Sequence, residues 1–137
     1  MKQPAEPEKQ GIGLEGQAAR LDSSRKFAVE LAQLAHHTRC HNIIILDMAG
    51  VSPVTDFYVL ATGTSARQMK TVCDQVDELA RKSGFKSFHR SGYEGDTWIA
   101  VDYIDVVLHI FSTDARVYYD LENLWGDAKR LEWNATA

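Results

Sequence analysis

The stretch Asp56–Gln68, which reads DFYVLATGTSARQ, decides the fold because it encodes a strand, a turn and the start of a helix. Its short apolar run Phe57–Thr62 is typical of a buried strand, and Gly63 ends that run. Ser65 and Gln68 have the spacing of a capping box, which marks a helix N-terminus. Apolar residues then recur at the helical period: Met69, Val72, Cys73, Val76, Leu79 and Ala80.

Further elements follow on both sides of this unit. An amphipathic helix is predicted over residues 23–38, with Asp22 or Ser23 as its N-cap, and a buried strand over Asn42–Met48. Thr97–Tyr103 alternates in polarity and, with the apolar run Val106–Phe111, indicates a hairpin. A last helix is expected with Val117, Leu121 and Leu124 facing inward. This order predicts an α/β (α+β-like) fold in which helices pack on a mixed β-sheet.

Length and composition favour one globular domain. The chain has 137 residues, of which 45% are hydrophobic and 25% charged, and two cysteines. We expect a disordered leader over residues 1–21, an α/β domain over 22–127 and a C-terminal tail over 128–137. The cysteine usage and the lack of a long apolar run indicate a cytoplasmic protein with no membrane segment.

Charge is unevenly distributed along the chain. The net charge is −4, yet residues 93–137 contain nine acidic side chains and only three basic ones. Nucleic-acid binders, those of DNA included, usually carry the opposite sign, because phosphate contacts need lysine and arginine. The acidic C-terminal third therefore favours a basic protein partner, although an ordinary solvated surface would also account for it.

One predicted strand carries a candidate binding face. If residues 94–102 are extended, Glu94, Asp96, Trp98, Ala100 and Asp102 share one face, opposite Ile99 and Val101. An aromatic anchor among carboxylates suits a basic partner, since interface hot spots favour tryptophan. The alternative is that Trp98 is covered by a helix of its own domain.

The sequence gives weaker evidence for a metal site or a phosphate site. His36, His37, Cys40 and His41 crowd one helix end, but no second ligand group for zinc is evident. Asp102 and Asp105 could hold Mg²⁺, and Thr62–Ser65 could receive a phosphate at a helix start. Neither group forms a complete fingerprint, so no metal, cofactor or catalytic residue is predicted.

Three motifs in this order resemble the ribosome silencing factor family, also called Iojap-like. They are the Asp56–Gln68 stretch, the stretch from Glu94 through Trp98 to Phe111, and the C-terminal Arg116, Tyr118, Tyr119, Leu121, Glu122, Leu124 and Trp125. By position, Trp98 matches the family's exposed sheet aromatic, and Glu94, Asp102 and Asp105 match its acidic positions. Tyr103 and His109 match further positions of the same motif.

The resemblance implies a fold related to nucleotidyltransferases, a homodimer, and a function without catalysis. It implies binding to the large ribosomal subunit through its fourteenth ribosomal protein at the subunit interface, which blocks joining of the small subunit and represses translation. A metal-dependent nucleotidyltransferase is the alternative enzyme class, and a dimeric scaffold for metabolic proteins is a third class. Ile104 departs from the family's frequent glycine, which puts the turn before Asp105 in question.

Overall fold

The computed structural model describes residues 13–134 as four helices around a six-stranded sheet. The helices are α1 (Leu14–His37), α2 (Ala66–Lys82), α3 (Thr113–Tyr119) and α4 (Leu121–Leu124). The strands are β1 (His41–Asp47), β2 (Phe57–Thr62), β3 (His89–Ser91), β4 (Trp98–Asp102), β5 (Val106–Phe111) and β6 (Lys129–Leu131). No helix within this part of the chain is long and apolar enough to cross a membrane.

The sheet is mixed, as the sequence predicts, and its order is β3-β4-β5-β2-β1-β6. Its central pair, β2 and β5, is parallel, with Phe57 opposite Val106 and Thr62 opposite Phe111. The other pairs are antiparallel. Since β2 and β5 are covered on both faces, their apolar runs are nearly continuous.

Helices α1 and α2 cover the first face of the sheet and enclose the main core. The predicted capping of α2 is confirmed: the Ser65 hydroxyl accepts from the Gln68 amide at 3.1 Å. Phe27 of α1 stacks on Phe85 with ring centroids 4.1 Å apart. The largest fully buried side chains of this core are Phe27, Leu31, Ile45, Phe57, Met69, Ile99, Leu108 and Ile110.

Helix α1 is longer than predicted, so the leader assigned to residues 1–21 is wrong for residues 14–21, and the N-cap at Asp22 or Ser23 is wrong. The helix already begins at Leu14; residues 1–12 of the predicted leader lie outside the described residues. The cause is a long-range contact that local sequence does not reveal. Arg20 of α1 forms ion pairs with Asp56 and Asp105, which anchors the first turns of α1 to the end of the sheet.

A second apolar cluster occupies the opposite face, under the short helices α3 and α4. Its buried members are Leu46, Met48, Leu60, Phe111, Ala115 and Leu121. The prediction that Val117 and Leu124 face inward is wrong, because Asp120 adopts a left-handed conformation and breaks the helix in two. The break turns Val117 and Leu124 outward while Leu121 stays buried.

The C-terminal segment is part of the fold, so the boundary predicted at residue 127 is also wrong. Residues 129–131 form β6 along the edge of β1. The Trp133 indole donates to the Ile43 carbonyl at 3.0 Å and packs against the main core. A three-residue strand with two charged residues has no apolar alternation from which it could be recognised.

The β4–β5 turn holds a β-branched residue in a strained conformation. Ile104 has φ 75°, and the Asp105 amide donates to the Tyr103 carbonyl at 2.9 Å, which is the bond of a γ-turn. The Asp102 carboxylate accepts from the Ile104 amide at 2.7 Å and so secures the turn. The chain keeps the tight turn without glycine, at a cost of about 1–3 kcal/mol.

Replacing Ile104 with glycine is expected to raise the free energy of unfolding by about 1 kcal/mol, because relief of strain exceeds the entropy that glycine adds to the unfolded chain. Ile104 packs in neither apolar cluster, so little burial is lost. Urea denaturation measures the change. Ile104→Ala is the control, since it keeps the Cβ and its strain; a glycine variant less stable than this control would contradict the interpretation.

Candidate functional site

Trp98 lies on the second face of the sheet, turned away from α1 and α2 as the sequence predicts. It is half-buried, opposite Phe111 in the adjacent strand, and shares its face with Ala100 and Asp102. The expectation that Glu94 and Asp96 extend this face is wrong, because β4 begins only at Trp98.

Glu94 and Asp96 are exposed in the connection between β3 and β4. Lys70 of α2 donates to the Gly95 carbonyl at 3.1 Å and holds this connection towards the helical side. Gly92 fixes the chain's path, since a Cβ there would lie 1.9 Å from the Trp98 carbonyl oxygen. Of the three carboxylates predicted around the indole, only Asp102 lies on its face.

His109 of the adjacent strand β5 fixes the orientation of the Trp98 indole. The Trp98 Nε1–H donates to His109 Nδ1 at 3.0 Å, so Nδ1 must be an unprotonated acceptor and the ring proton is on Nε2. The imidazole is 8% exposed, and the Tyr58 ring packs against it edge-on at 4.9 Å. Burial lowers the pKa of His109 to about 4, which keeps the imidazole neutral at physiological pH.

Acidification is expected to destabilise the protein through His109. Its pKa is about 4 when folded and near 6.5 when unfolded, so the unfolded chain takes up the proton first. The stabilisation that comes from the neutral His109 is complete above pH 6.5. As the pH falls towards 4 it is lost, and the free energy of unfolding decreases by about 3 kcal/mol. Urea denaturation across this window measures it in wild type and in His109→Asn, which keeps an acceptor but does not titrate.

The matched control is His89→Asn, because His89 is exposed and its imidazole stays in water when the chain folds. We expect the wild-type and His89→Asn stability curves to run parallel and the His109→Asn curve to be flatter below pH 6.5. Parallel curves for all three proteins would show that folding does not lower the pKa of His109.

Tyr119 completes the aromatic site and was not among the residues predicted from the sequence. Its ring lies 4.5 Å from the Trp98 ring and is 44% exposed, so both aromatics are presented at the same surface. Arg116, buried one turn earlier in α3, donates to the Thr62 hydroxyl at 2.9 Å and to Glu122 at 3.0 Å. These bonds fix α3 and α4 to the sheet and thereby place Tyr119 beside Trp98.

We call the patch formed by Trp98, Tyr119, Tyr58 and Asp102 the docking surface, since it is the candidate binding site of this chain. Asp102 of β4 lies opposite Val107 of β5, and Val107 lies opposite Tyr58 of β2. Burial, and then the negative charge of Asp102, raise the pKa of Tyr58, which shows that the two side chains share an environment. The surface therefore combines three aromatic rings with one carboxylate.

Comparison with known proteins places the chain in a family. Residues 21–137 match the family described as Ribosomal silencing factor during starvation. The chain belongs to this family. The ribosomal silencing factor of Halalkalibacterium halodurans is 36% identical over 107 residues, which cover 75% of this chain and 92% of that protein. The chloroplastic protein Iojap of Arabidopsis thaliana is 30% identical over 80% of this chain and 45% of its own length.

A solved structure gives the same fold for this ribosomal silencing factor family member. The crystal structure of a Chromobacterium violaceum protein superposes with a TM-score of 0.70 at 29% identity, covering 85% of this chain and 94% of that chain. The family resemblance and the mixed-sheet fold expected from the sequence are thus confirmed.

Two residues that the resemblance assigned to the partner surface lie elsewhere in this family member. Tyr103 is buried in the main core, where its hydroxyl donates to Asp77 of α2 and its ring meets Phe27 edge-on at 5.3 Å. Burial and the Asp77 bond raise the pKa of Tyr103. Asp105 is paired with Arg20 of α1 at 3.1 Å. Both residues stabilise the fold rather than extend the docking surface.

Residues considered for metal or phosphate binding serve other contacts. Among residues 13–134 no group of three or more histidine, cysteine, aspartate or glutamate side chains could hold a metal ion. Asp102 secures the Ile104 turn while Asp105 pairs with Arg20, so these carboxylates do not converge. The Thr62 hydroxyl accepts from Arg116, and Cys40 is buried beside Gln68.

Proposed function

We propose that the protein is a ribosomal silencing factor that binds the large ribosomal subunit through its docking surface. The partner we infer is the fourteenth ribosomal protein of the large-subunit series, a basic protein at the subunit interface. Binding there would occupy space that the small subunit needs and would thereby repress translation. This mechanism requires affinity and position but no bond making or breaking.

The observation that carries this proposal is the partly buried indole of Trp98, held in place before any partner arrives. His109 fixes its N–H and Phe111 packs on its ring at 4.9 Å, so little rotational freedom is left to lose on binding. Pre-organised tryptophan and tyrosine side chains are the residue types that dominate interface energies. Tyr119 supplies the second such ring.

Charge around the docking surface favours a basic partner. Asp102 lies within the surface, and Asp114 and Asp120 are exposed at the two ends of α3, which carries Tyr119. Arg116, the basic residue of this helix, is buried and neutralised by Glu122. The exposed charge of this segment is thus negative, which would steer association with a positively charged ribosomal protein.

A homodimer, also expected from the resemblance, has a suitable surface outside the docking surface. Val117, Tyr118 and Leu124 are 77%, 81% and 66% exposed on the outer side of α3 and α4. Large apolar side chains exposed on one short segment favour an interaction site. We infer that two copies meet here, and analytical ultracentrifugation that detects only monomers at micromolar concentration would contradict this part of the proposal.

Sedimentation with ribosomal particles tests the binding step. The protein is layered with purified large subunits on a sucrose gradient, and with purified small subunits as the matched control. It is expected to migrate with the large subunits and to stay at the top in the presence of small subunits alone. Failure to migrate with the large subunits would refute the proposal.

A further inference from the structure

We propose that this protein has a second binding surface, a basic rim around Phe85, that contacts the sugar-phosphate backbone of RNA. The surface lies on the helical side of the sheet and is distinct from the docking surface. This inference rests on the proposed function in one respect: the large ribosomal subunit, which the docking surface would bind, is itself largely RNA.

The overall negative charge conceals a basic segment. Residues 66–91, which comprise α2, the following loop and β3, contain six basic and three acidic side chains. The acidic three are already engaged: Glu78 bonds to Arg81 at 2.6 Å, and Asp77 bonds to Arg90 at 2.8 Å with Asp74 beside it. The remaining cations of this segment are therefore not neutralised within it.

Three lysines from three different elements meet around Phe85. Two depressions, of about 520 and 290 Å³, lie on either side of this ring. Lys86 lines the larger one with Arg81 and the acidic Asp77, while Lys26 of α1 and Lys82 of α2 line the smaller one with the acidic Glu30. Within residues 13–134 none of the three ammonium groups forms an ion pair or hydrogen bond with a side chain.

One aromatic ring lies among these lysines, and a second is exposed nearby in the chain. Phe85 stacks in parallel on Phe27 and forms the wall between the two depressions. Phe88 is 46% exposed three residues later. Lysines that follow a polyanion combined with rings on which bases stack are the means by which proteins bind single-stranded RNA. Single-stranded RNA uses both features, the charges through its phosphates and the exposed ring through its bases, which favours RNA as the partner.

The basic rim continues into the docking surface around the edge of the sheet. The Phe88 amide donates to the Asp102 carbonyl at 2.7 Å, so Phe88 lies directly beside the strand that carries Trp98. A particle bound at Trp98 could therefore present protein to the sheet face and RNA to the rim, with complementary charge at each.

Fluorescence anisotropy with a labelled 16-nucleotide single-stranded RNA of mixed sequence tests the inference over a range of KCl concentrations. The full chain is compared with the triple variant Lys26→Gln, Lys82→Gln, Lys86→Gln. The control triple Arg67→Gln, Lys129→Gln, Arg130→Gln removes the same charge from exposed positions that line neither depression.

We expect the wild type and the control to bind alike, and the rim variant to bind at least tenfold more weakly. The salt slope of the rim variant should be shallower by about 2, since each lost phosphate contact to a single strand removes about 0.7. Phe88→Ala should weaken binding about fivefold or more. Trp98→Ala should leave RNA affinity unchanged, which separates this surface from the docking surface.

Three outcomes would overturn the inference. One is that wild type shows no RNA binding in 50 mM KCl. Another is that both triple variants lose affinity equally, which would indicate net charge rather than the rim. The third is that a polyglutamate 16-mer binds as tightly as the RNA, which would identify an acidic protein as the partner. None of them bears on whether Trp98 binds the large subunit.

Discussion

Replacing Trp98 with alanine is expected to weaken binding to the large ribosomal subunit by about 2 kcal/mol or more, roughly 30-fold in Kd. The variant loses the one indole that the docking surface presents and leaves His109 Nδ1 without its donor. Trp98 is only half-buried, so the free energy of unfolding should fall by less than the roughly 3–5 kcal/mol that a fully buried tryptophan costs. Pelleting assays with purified subunits measure the affinity, and thermal melts measure the stability.

Trp133 provides a matched control for this prediction. It is also a partly buried indole whose N–H is bonded, at 3.0 Å to the Ile43 carbonyl, but it packs against the main core on the helical side. Trp133→Ala should lower stability and leave subunit affinity per folded molecule unchanged. If the two variants lost affinity equally, the docking surface would be wrongly placed.

Replacing Arg116 with alanine is expected to lower the free energy of unfolding by about 3 kcal/mol. The guanidinium is 7% exposed and bonds to Thr62 and Glu122, so its removal leaves a largely buried carboxylate without a counter-charge. The figure is at the lower end for buried pairs because the Glu122 side chain is 25% exposed. Urea denaturation measures the loss.

The double variant Arg116→Met, Glu122→Leu separates the ion pair from the packing. Replacing both charges with apolar groups of similar volume is often neutral, so most of the lost stability should return. A double variant as unstable as Arg116→Ala would show that the bond to Thr62, not the ion pair, holds α3 to the sheet. Since Arg116 positions the helix that carries Tyr119, the single variant should also bind large subunits more weakly.

The central elements could be predicted because their signals are local. Strand β2 and the start of α2 follow from an apolar run, a glycine and a capping box within thirteen residues, and the capping bond is present. The orientation of Trp98 likewise follows from the period of two in β4. Where the apolar residues of a segment follow the period of the strand or helix that forms, the sequence alone determines which side chains face the core.

The errors arise where distant contacts override local pattern. Residues 14–21 carry only a weak apolar stripe, Leu14, Ala18 and Leu21, of which Leu14 is 85% exposed, and Arg20 in this segment bonds to Asp56, 36 positions away. The spacing of Val117, Leu121 and Leu124 suggests one helix, but the left-handed Asp120 divides it, and Tyr119 rather than Val117 packs on Trp98. The adjacent pair Tyr118 and Tyr119 was the available signal, because two neighbouring rings on a helix cannot share one face.

The acidic character of the C-terminal third survives in the structure, although its arrangement differs from the prediction. Glu94 and Asp96 belong to a turn held against α2, whereas Asp114 and Asp120 lie at the two ends of α3, which carries Tyr119. The carboxylates near the docking surface thus come from two elements, β4 and α3. Pairing between elements cannot be deduced from a strand's own alternation.

Light scattering during subunit joining tests the central claim most directly. Purified small and large subunits are mixed at a magnesium concentration that favours association, with increasing amounts of this protein or of Trp98→Ala. The wild type is expected to lower the associated fraction until it is stoichiometric with large subunits, and the variant to require roughly 30-fold more. Undiminished association at saturating wild-type protein would contradict the account.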